Sequence, residues 1–277
     1  MSAPASLLLA ARALVQFPRN PLLLGFSLAP VLMMFLVFGA LFEGVTRLPG
    51  FPTDNYFEYL APTAILLTTV PGIGNAAVAL AADFHSRYVY KLLTAPISVG
   101  SIVLGRLIGD AVRVCAQAVA VLALAVTLGA HAETGIAGAA LMIVLGTLLG
   151  IVTFGVLKAN LALRTKDAAA VQAILPMAYL LIFLTSAYQQ PEQIDSPMMR
   201  AIIDANPAEH VLRAMRDVML SGYDWPDFGI ALAVILALGA IGIPPHRAQL
   251  PLRLPMNPRQ RMNHARPEAR PTWAAPV

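Results

Sequence analysis

Long apolar runs alternate with short charged segments along most of the chain. A helix needs about 20 apolar residues to cross the hydrocarbon core of a bilayer. We therefore predict six membrane-spanning helices, at about residues 22–42, 59–82, 107–129, 136–157, 168–187 and 228–243. The sixth run makes only about 24 Å of helix, so it crosses a core of about 30 Å only if residues 225–227 extend it or the bilayer thins.

The composition supports a membrane protein. Of the 277 residues, 58% are hydrophobic and 12% are charged, whereas soluble domains carry about 25% charged residues. One globular core does not hide that much apolar surface, so the bilayer is the expected solvent. The single cysteine, Cys115, excludes an intramolecular disulfide and a cysteine-based metal cluster. The predicted fold class is an all-α membrane protein with six transmembrane helices.

The two ends of the chain have patterns of their own. The apolar run within residues 1–17 is only about ten residues long, too short to cross a bilayer. The charge of Arg12 follows the apolar residues, the reverse of a signal peptide, so we predict an amphipathic helix along the interface. Eight prolines and six arginines in residues 244–277 predict a disordered tail. The chain thus divides into a transmembrane domain, 1–243, and a cytoplasmic tail, 244–277.

The positions of lysine and arginine predict the orientation. Cytoplasmic loops of membrane proteins carry an excess of these two residue types. With the N-terminus inside, fourteen of the 19 lysines and arginines lie on the cytoplasmic side, four lie outside and Arg113 lies within the third span. We therefore expect a multi-pass protein with both termini in the cytoplasm.

The second loop carries charge between two long apolar runs. Asp83 is placed to cap a helix, and Phe84, Tyr88 and Leu92 recur at intervals of four, which gives one apolar stripe. We predict a short amphipathic helix on the cytoplasmic face that ends before Pro96. The alternative is a surface loop whose charges only set the topology. The residues assigned to this helix are Asp83, Phe84, Arg87, Tyr88, Lys91, Leu92 and Pro96.

The segment after the fifth span, residues 188–227, is the longest on the outer side. Asn206, Pro207 and Glu209 have the spacing of an N-cap, a first-turn proline and a capping-box acid. In the helix that follows, apolar residues lie near one face, and the other face carries Arg213, Arg216 and Asp217. We predict short helices that lie at the outer interface or re-enter it. The alternative is an exterior loop with no specific role.

Polar residues are few within the spans. Asp110 and Arg113 are spaced i, i+3 near the inner end of the third span, which predicts a structural ion pair, with a role in transport as the alternative. For the uncharged polar residues, hydrogen bonds between helices are the default role, and contact with a transported molecule is the alternative. These candidates for a translocation path are Thr68, Thr69, Asn75, Gln117 and Gln172.

The sequence contains no motif that indicates an enzyme or a nucleotide site. The patterns HExxH, GxSxG and GxxxxGK[ST] are absent, and no span holds paired carboxylates. We therefore predict no catalytic residue, no metal site and no cofactor bound by this chain. The positive charge follows the predicted topology, so we expect no nucleic acid partner. If ATP powers transport here, ATP and Mg²⁺ bind to another chain.

Four places in the sequence resemble the ABC-2 type permease family, the membrane subunits of ATP-driven exporters. They are RNP at 19–21 with Pro30 in the span behind it, YKLLTAPIS at 90–98 followed by LGR at 104–106, the long segment after the fifth span, and NP at 206–207 ahead of VLRAMR. The second place is the most specific, because the coupling helix of the family has this charged start followed by L-x-x-(S/T/A)-P-(V/I)-S. The similarity covers about residues 7–243 and is greatest to the daunorubicin-resistance type, which is encoded beside a separate ATPase.

The resemblance implies a six-span permease subunit of an exporter in a bacterial cell membrane. It also implies an N-terminal interfacial helix, a coupling helix at 83–96, re-entrant helices after the fifth span, and a homodimer or heterodimer bound to two ABC ATPase subunits. The expected substrate is an amphiphilic or apolar drug, antibiotic or lipid-like molecule. Two alternatives stay open: a non-transporting membrane protein, such as a signalling partner or assembly factor, and a secondary transporter. The tail departs from the family, whose last span is usually longer.

Overall fold

The computed structural model describes residues 21–85, 99–190 and 193–242, and these residues form helices and connecting turns without a strand. The helices are α1 (Pro21–Leu41), α2 (Tyr56–Gly72), α3 (Asn75–His85), α4 (Val99–Thr127), α5 (Gly135–Gly150), α6 (Val156–Thr165), α7 (Ala168–Gln172), α8 (Leu175–Phe183), α9 (Pro197–Asp204), α10 (Pro207–Leu220) and α11 (Trp225–Gly242). A short 3₁₀ helix, Glu43–Arg47, follows α1, and a π-helical turn, Ile151–Gly155, joins α5 to α6. The predicted N-terminal helix and tail lie outside the described residues, as do Arg87, Tyr88, Lys91, Leu92 and Pro96 of the predicted coupling helix.

The apolar runs of the sequence are helical. Among the described residues, three helical stretches are long and apolar enough to cross a membrane: Tyr56–Asp83, Val103–Thr127 and Gly135–Thr165. Shorter apolar helices cover Leu28–Leu41, Ala168–Phe183 and Trp225–Ile241. The last of these begins at Trp225, so it includes the three residues that the short sixth run was predicted to need.

The first of the long stretches forms the centre of the molecule. About 72% of its apolar window is buried inside the protein, against 33% and 44% for the other two. Helix α2 packs against α1, α4, α5 and α10, so almost every residue between Tyr59 and Pro71 is buried. Any polar group on this helix must therefore find its partners inside the protein.

Helix α5 approaches α2 closely at two glycines. A Cβ atom at Gly146 would lie 2.9 Å from the hydroxyl of Thr69, and one at Gly150 would lie 3.0 Å from the carbonyl oxygen of the same residue. Real Cβ atoms essentially never come nearer than about this distance. Larger residues at these positions would therefore push α5 away from the central helix.

Two predicted spans are interrupted. The second, predicted at 59–82, is divided at Ile73 and Gly74 and continues as α3 to His85. Asp83 thus lies inside α3, where its carboxylate pairs with Arg106 at 2.6 Å, and not ahead of a new helix as predicted. The fifth, predicted as one run at 168–187, ends at Phe183 and is divided between α7 and α8, where Pro176 lies in the first turn of α8.

Candidate functional site

The break between α2 and α3 interrupts the backbone hydrogen bonds of a helix in an apolar region. Helix α2 ends at Gly72, and Gly74 has a φ of +86°, a left-handed conformation that only glycine adopts easily. A helix that stops leaves free carbonyl groups, and a helix that starts leaves free N–H groups. Since a bilayer offers no water to satisfy them, the protein itself must supply the partners.

Two cations bind the carbonyl groups at the end of α2. The ammonium group of Lys158 on α6 donates to the carbonyl oxygens of Pro71 at 3.1 Å and Ile73 at 3.2 Å. Arg113 on α4 donates through Nη2 to the carbonyl oxygen of Gly72 at 2.7 Å. Three successive carbonyl groups are thus satisfied, and Lys158 is only 1% exposed. Positive charge at the C-terminal end of a helix also complements the helix dipole.

One anion binds the N–H groups at the start of α3. Oδ2 of Asp110 accepts from the backbone N–H groups of Gly74 and Ala76, each at 2.9 Å. Its Oδ1 accepts from Arg113 at 3.2 Å, so the predicted i, i+3 spacing does bring the two charges together. We call Asp110, Arg113 and Lys158 the break cluster, because these charges from α4 and α6 hold both halves of the divided span.

The sequence pattern did not reveal Lys158 as a member of this cluster. The fourth predicted span ends at residue 157, so the sequence pattern places Lys158 in the next cytoplasmic loop, among the charges that set the topology. The structure extends the helical stretch to Thr165 and buries the lysine. The signal that was available is the glycine-rich end of α2, whose unpaired carbonyl groups require donors from elsewhere in the fold.

A cavity of about 160 Å³ lies beside the break. Four of the five residues predicted for a translocation path line it: Thr68, Asn75, Gln117 and Gln172. The other lining residues are Val31, Leu67, Pro71, Gly72, Arg113, Leu175 and Tyr179. The fifth predicted residue, Thr69, does not reach the cavity; its hydroxyl donates to the carbonyl of Ile65 at 2.9 Å.

The wall of this cavity carries charge of one sign only among the described residues. Arg113 is the single charged residue among the described residues that line it, and 23% of its side chain is exposed. Asp110 is not among the lining residues, and only 8% of its side chain is exposed. With the Asn75 amide oriented by this network, its oxygen accepts from Arg113 at 3.0 and 3.3 Å.

A second polar cluster lies at the opposite end of α2. Glu209 on α10 is fully buried and accepts from the backbone N–H and the hydroxyl of Ser186, both at 2.7 Å, and from Arg213 Nε at 2.8 Å. Arg216 is 8% exposed, donates to the hydroxyl and the carbonyl of Ser186 at 3.0 Å each, and lies over the ring of Tyr59 at 3.9 Å. We call Ser186, Glu209, Arg213 and Arg216 the α10 network.

The first turns of α2 bind the same segment of chain. Tyr56 donates to the carbonyl of Tyr188 at 2.8 Å, Tyr59 to that of Ser186 at 3.1 Å, and Thr63 to that of Ala187 at 3.1 Å. The segment 186–188 is therefore held between α2 and α10.

Two predictions for α10 are wrong in detail. Asn206 does act as the N-cap, since its side chain accepts from the N–H of Ala208 at 2.9 Å. Glu209 is not a capping-box acid, because its carboxylate binds Ser186 and Arg213. Arg216 was predicted on the face opposite the apolar residues, yet it is buried like them, because Tyr59 and Ser186 satisfy it there.

A larger cavity of about 360 Å³ adjoins the α10 network, and its wall carries both signs of charge. Arg213 and Arg216 line it together with Asp217 and Asp227. Burial, and then the neighbouring carboxylate of Asp227, raise the pKa of Asp217 above its ordinary value.

The chain is similar to proteins of a known transporter family. Residues 5–220 match the family model of the ABC-2 type transporter. The chain is also 26% identical over 239 residues to the daunorubicin resistance ABC transporter permease protein DrrB1 of Streptomyces coeruleorubidus, with 84% of this chain and 81% of that relative covered. The break cluster and the α10 network both lie within the range that the family model matches.

Proposed function

The chain belongs to the ABC-2 type transporter family, and from this we propose that it is the membrane-spanning subunit of an ATP-driven exporter. The family match over residues 5–220 carries the proposal and confirms the resemblance seen in the sequence. The chain has no GxxxxGK[ST] motif, so a separate ABC ATPase supplies the energy. The relative's printed name, a daunorubicin resistance permease, supports an amphiphilic or apolar drug, antibiotic or lipid-like substrate.

The finer architecture is part of the same proposal. Six spans cross a bacterial cell membrane, both termini are cytoplasmic, and the helices α9 and α10 lie at the outer face. Two permease chains, alike or different, assemble with two ATPase subunits. The apolar helices that coincide with the six predicted runs support this arrangement.

The ATPase acts through the predicted coupling helix at 83–96, whose first residues, 83–85, form the end of α3 and whose remaining residues connect α3 to α4 in the sequence. Helix α3 leads into this segment and α4 leads out of it. The pair formed by Asp83 and Arg106, at 2.6 Å, joins the two helices on either side. Movement of the coupling helix therefore reaches both α3, which starts at the break, and α4, which carries Asp110 and Arg113.

ATP binding closes the partner ATPases and pushes this coupling helix. The push re-orients the first, second and fifth spans around a pathway at the interface between two permease chains. The cavity beside the break, which lies between α1, α2, α4, α7 and α8, is where the substrate first meets the path. The substrate then leaves outward past α9 and α10.

Introducing a negative charge into the apolar stripe of the coupling helix tests this function. Tyr88→Asp and Leu92→Asp should abolish export and the association with the ATPase, because each puts a charge where an apolar contact is proposed. Tyr88→Phe, which keeps the apolar ring, is the matched control and should export normally. Both properties are measured by substrate efflux from cells and by co-purification from the same membranes. Normal export by Tyr88→Asp would contradict the coupling assignment.

A further inference from the structure

We propose that the cavity beside the break binds the negatively charged head group of an amphiphile. The first methylene groups of the ligand would then lie against Val31, Leu67 and Leu175, which share the wall of the cavity with the polar residues. The proposal names the substrate class for the proposed function and rests on it for the view that the ligand is cargo. The binding itself is argued from the cavity alone.

The charge of the wall favours an anion. Arg113 is the one charged side chain among the described residues that line the cavity. Its partner Asp110 does not reach the cavity and already accepts three hydrogen bonds, from two backbone N–H groups and from Arg113. The break cluster as a whole contains two cationic side chains and one carboxylate. A cationic head group would meet Arg113 at the cavity wall, whereas the carboxylate that pairs with this arginine, Asp110, lies behind it and outside the lining.

The neutral polar groups of the wall also suit an acceptor-rich ligand. The oxygen of Asn75 accepts from Arg113, which fixes the orientation of this amide and the side on which its NH₂ group donates. The amide of Gln172 brings a further NH₂ group to the same wall. The hydroxyl of Thr68 donates its hydrogen to the carbonyl of Ala64 at 2.8 Å, so this side chain is not one of the donors to the ligand. Guanidinium and amide donors together are the groups that bind carboxylate and phosphate oxygens.

The size of the cavity limits the ligand to a head group. Cavities that enclose a whole drug-sized molecule have about 300–1,000 Å³, whereas this one has about 160 Å³. A carboxylate or a phosphate with its first methylene groups fits, since one water molecule takes about 30 Å³. The rest of the ligand must therefore remain outside the cavity, which suits an amphiphile whose tail stays in the bilayer.

Two probes with the same tail and opposite head charge test the proposal. The purified full-length chain is held in dodecyl maltoside and titrated with dodecyl phosphate or with dodecyltrimethylammonium, and binding is followed by thermal stability and native mass spectrometry. We expect saturable binding of dodecyl phosphate, at least about tenfold tighter than the cationic probe. Equal binding of both probes would overturn the proposal.

Variants assign the binding to this cavity. Arg113→Gln should weaken binding of dodecyl phosphate by about tenfold or more, because hydrogen bonds to charged groups contribute about 1.5–3 kcal/mol. Gln172→Leu should weaken it several-fold. Within the described residues the Gln172 side chain makes no hydrogen bond to the break, so this variant tests the assignment if Arg113→Gln fails to fold. Arg164→Gln, an exposed arginine on α6, is the control and should bind as the wild type does. Unchanged binding in Gln172→Leu and in a folded Arg113→Gln would overturn the assignment.

The complex with its ATPase separates cargo from a resident lipid. If the ligand is cargo, dodecyl phosphate stimulates ATP hydrolysis and is moved across a vesicle membrane. If it is a lipid, phosphatidylglycerol competes with dodecyl phosphate for the cavity and ATP moves neither; the anionic site stands in both cases. An ATPase that pairs with the chain and drives export while the cavity shows no preference for the anionic probe would refute this inference alone. Anion binding by a chain that pairs with no ATPase would refute the proposed function alone.

Discussion

The two polar clusters along α2 solve different problems with different chemistry. At the α10 network, α2 is an intact helix that donates three hydroxyl groups to the carbonyls of residues 186–188. At the break cluster, the helix itself is interrupted, and charged side chains replace the backbone partners that continuity would have provided.

The difference concerns how far each cluster depends on single residues. The carbonyl oxygen of Ser186 has two donors, Tyr59 and Arg216, so losing one leaves the other. The carbonyls of Pro71 and Ile73 share one donor group, the ammonium of Lys158. The break is therefore the region that loses more stability when one residue is changed. It also lies beside the cavity of about 160 Å³ whose charged lining residue is Arg113.

The largest effect is expected from Lys158→Met. The substitution removes the donor that the Pro71 and Ile73 carbonyl groups share, and leaving a buried acceptor unsatisfied costs about 1–3 kcal/mol for each group. We expect a strongly lowered unfolding midpoint in detergent and loss of coupling between ATP hydrolysis and export. Arg164→Met on the same helix is the matched control, since Arg164 is exposed. A Lys158→Met protein as stable as this control would remove the charge-based account of the break.

An intermediate effect is expected from Glu209→Gln. The carboxylate is fully buried and accepts from Ser186 and Arg213, and hydrogen bonds to charged groups contribute about 1.5–3 kcal/mol. We expect unfolding in detergent to become easier by about 2 kcal/mol. Glu133→Gln, at an exposed position, should change the free energy of unfolding by less than about 0.5 kcal/mol. Equal effects of the two variants would show that the α10 network adds no stability.

The smallest effect is expected from Tyr59→Phe. The variant loses a hydrogen bond of 3.1 Å to the carbonyl of Ser186, but Arg216 still donates to that oxygen and still lies over the ring. A typical hydrogen bond contributes about 1 kcal/mol, so the shift in the free energy of unfolding should be about that or less. Tyr223→Phe at an exposed position is the control. A loss as large as that of Lys158→Met would contradict the difference in redundancy between the two clusters.

The sequence predicts well what local pattern determines. Apolar run length locates the helices, the i, i+3 spacing of Asp110 and Arg113 brings the pair to 3.2 Å, and Asn206 caps α10 as its residue type suggests. The ion pair and the N-cap depend on neighbours within about one helical turn, and run length depends on a continuous stretch of about 20 residues.

Contacts between distant parts of the chain were not predictable in this way. Lys158 binds carbonyls 87 and 85 residues earlier in the chain, and no local pattern separates such a lysine from one that sets topology. Glu209 has the position of a capping-box acid, but its carboxylate accepts hydrogen bonds from Ser186, 23 residues away. The helical pattern places Arg216 on the polar face of α10, but it does not show that this arginine lies over the ring of Tyr59.

The co-purification of an ATPase tests the central claim most directly, namely that this chain is the membrane subunit of an ATP-driven exporter. The full-length chain is extracted from its native membranes in mild detergent, captured by a terminal tag and examined for bound proteins by mass spectrometry. The account predicts an ABC ATPase in an amount equal to the chain, absent from the Leu92→Asp preparation. A folded wild-type chain that carries no ATPase in any mild detergent would contradict it.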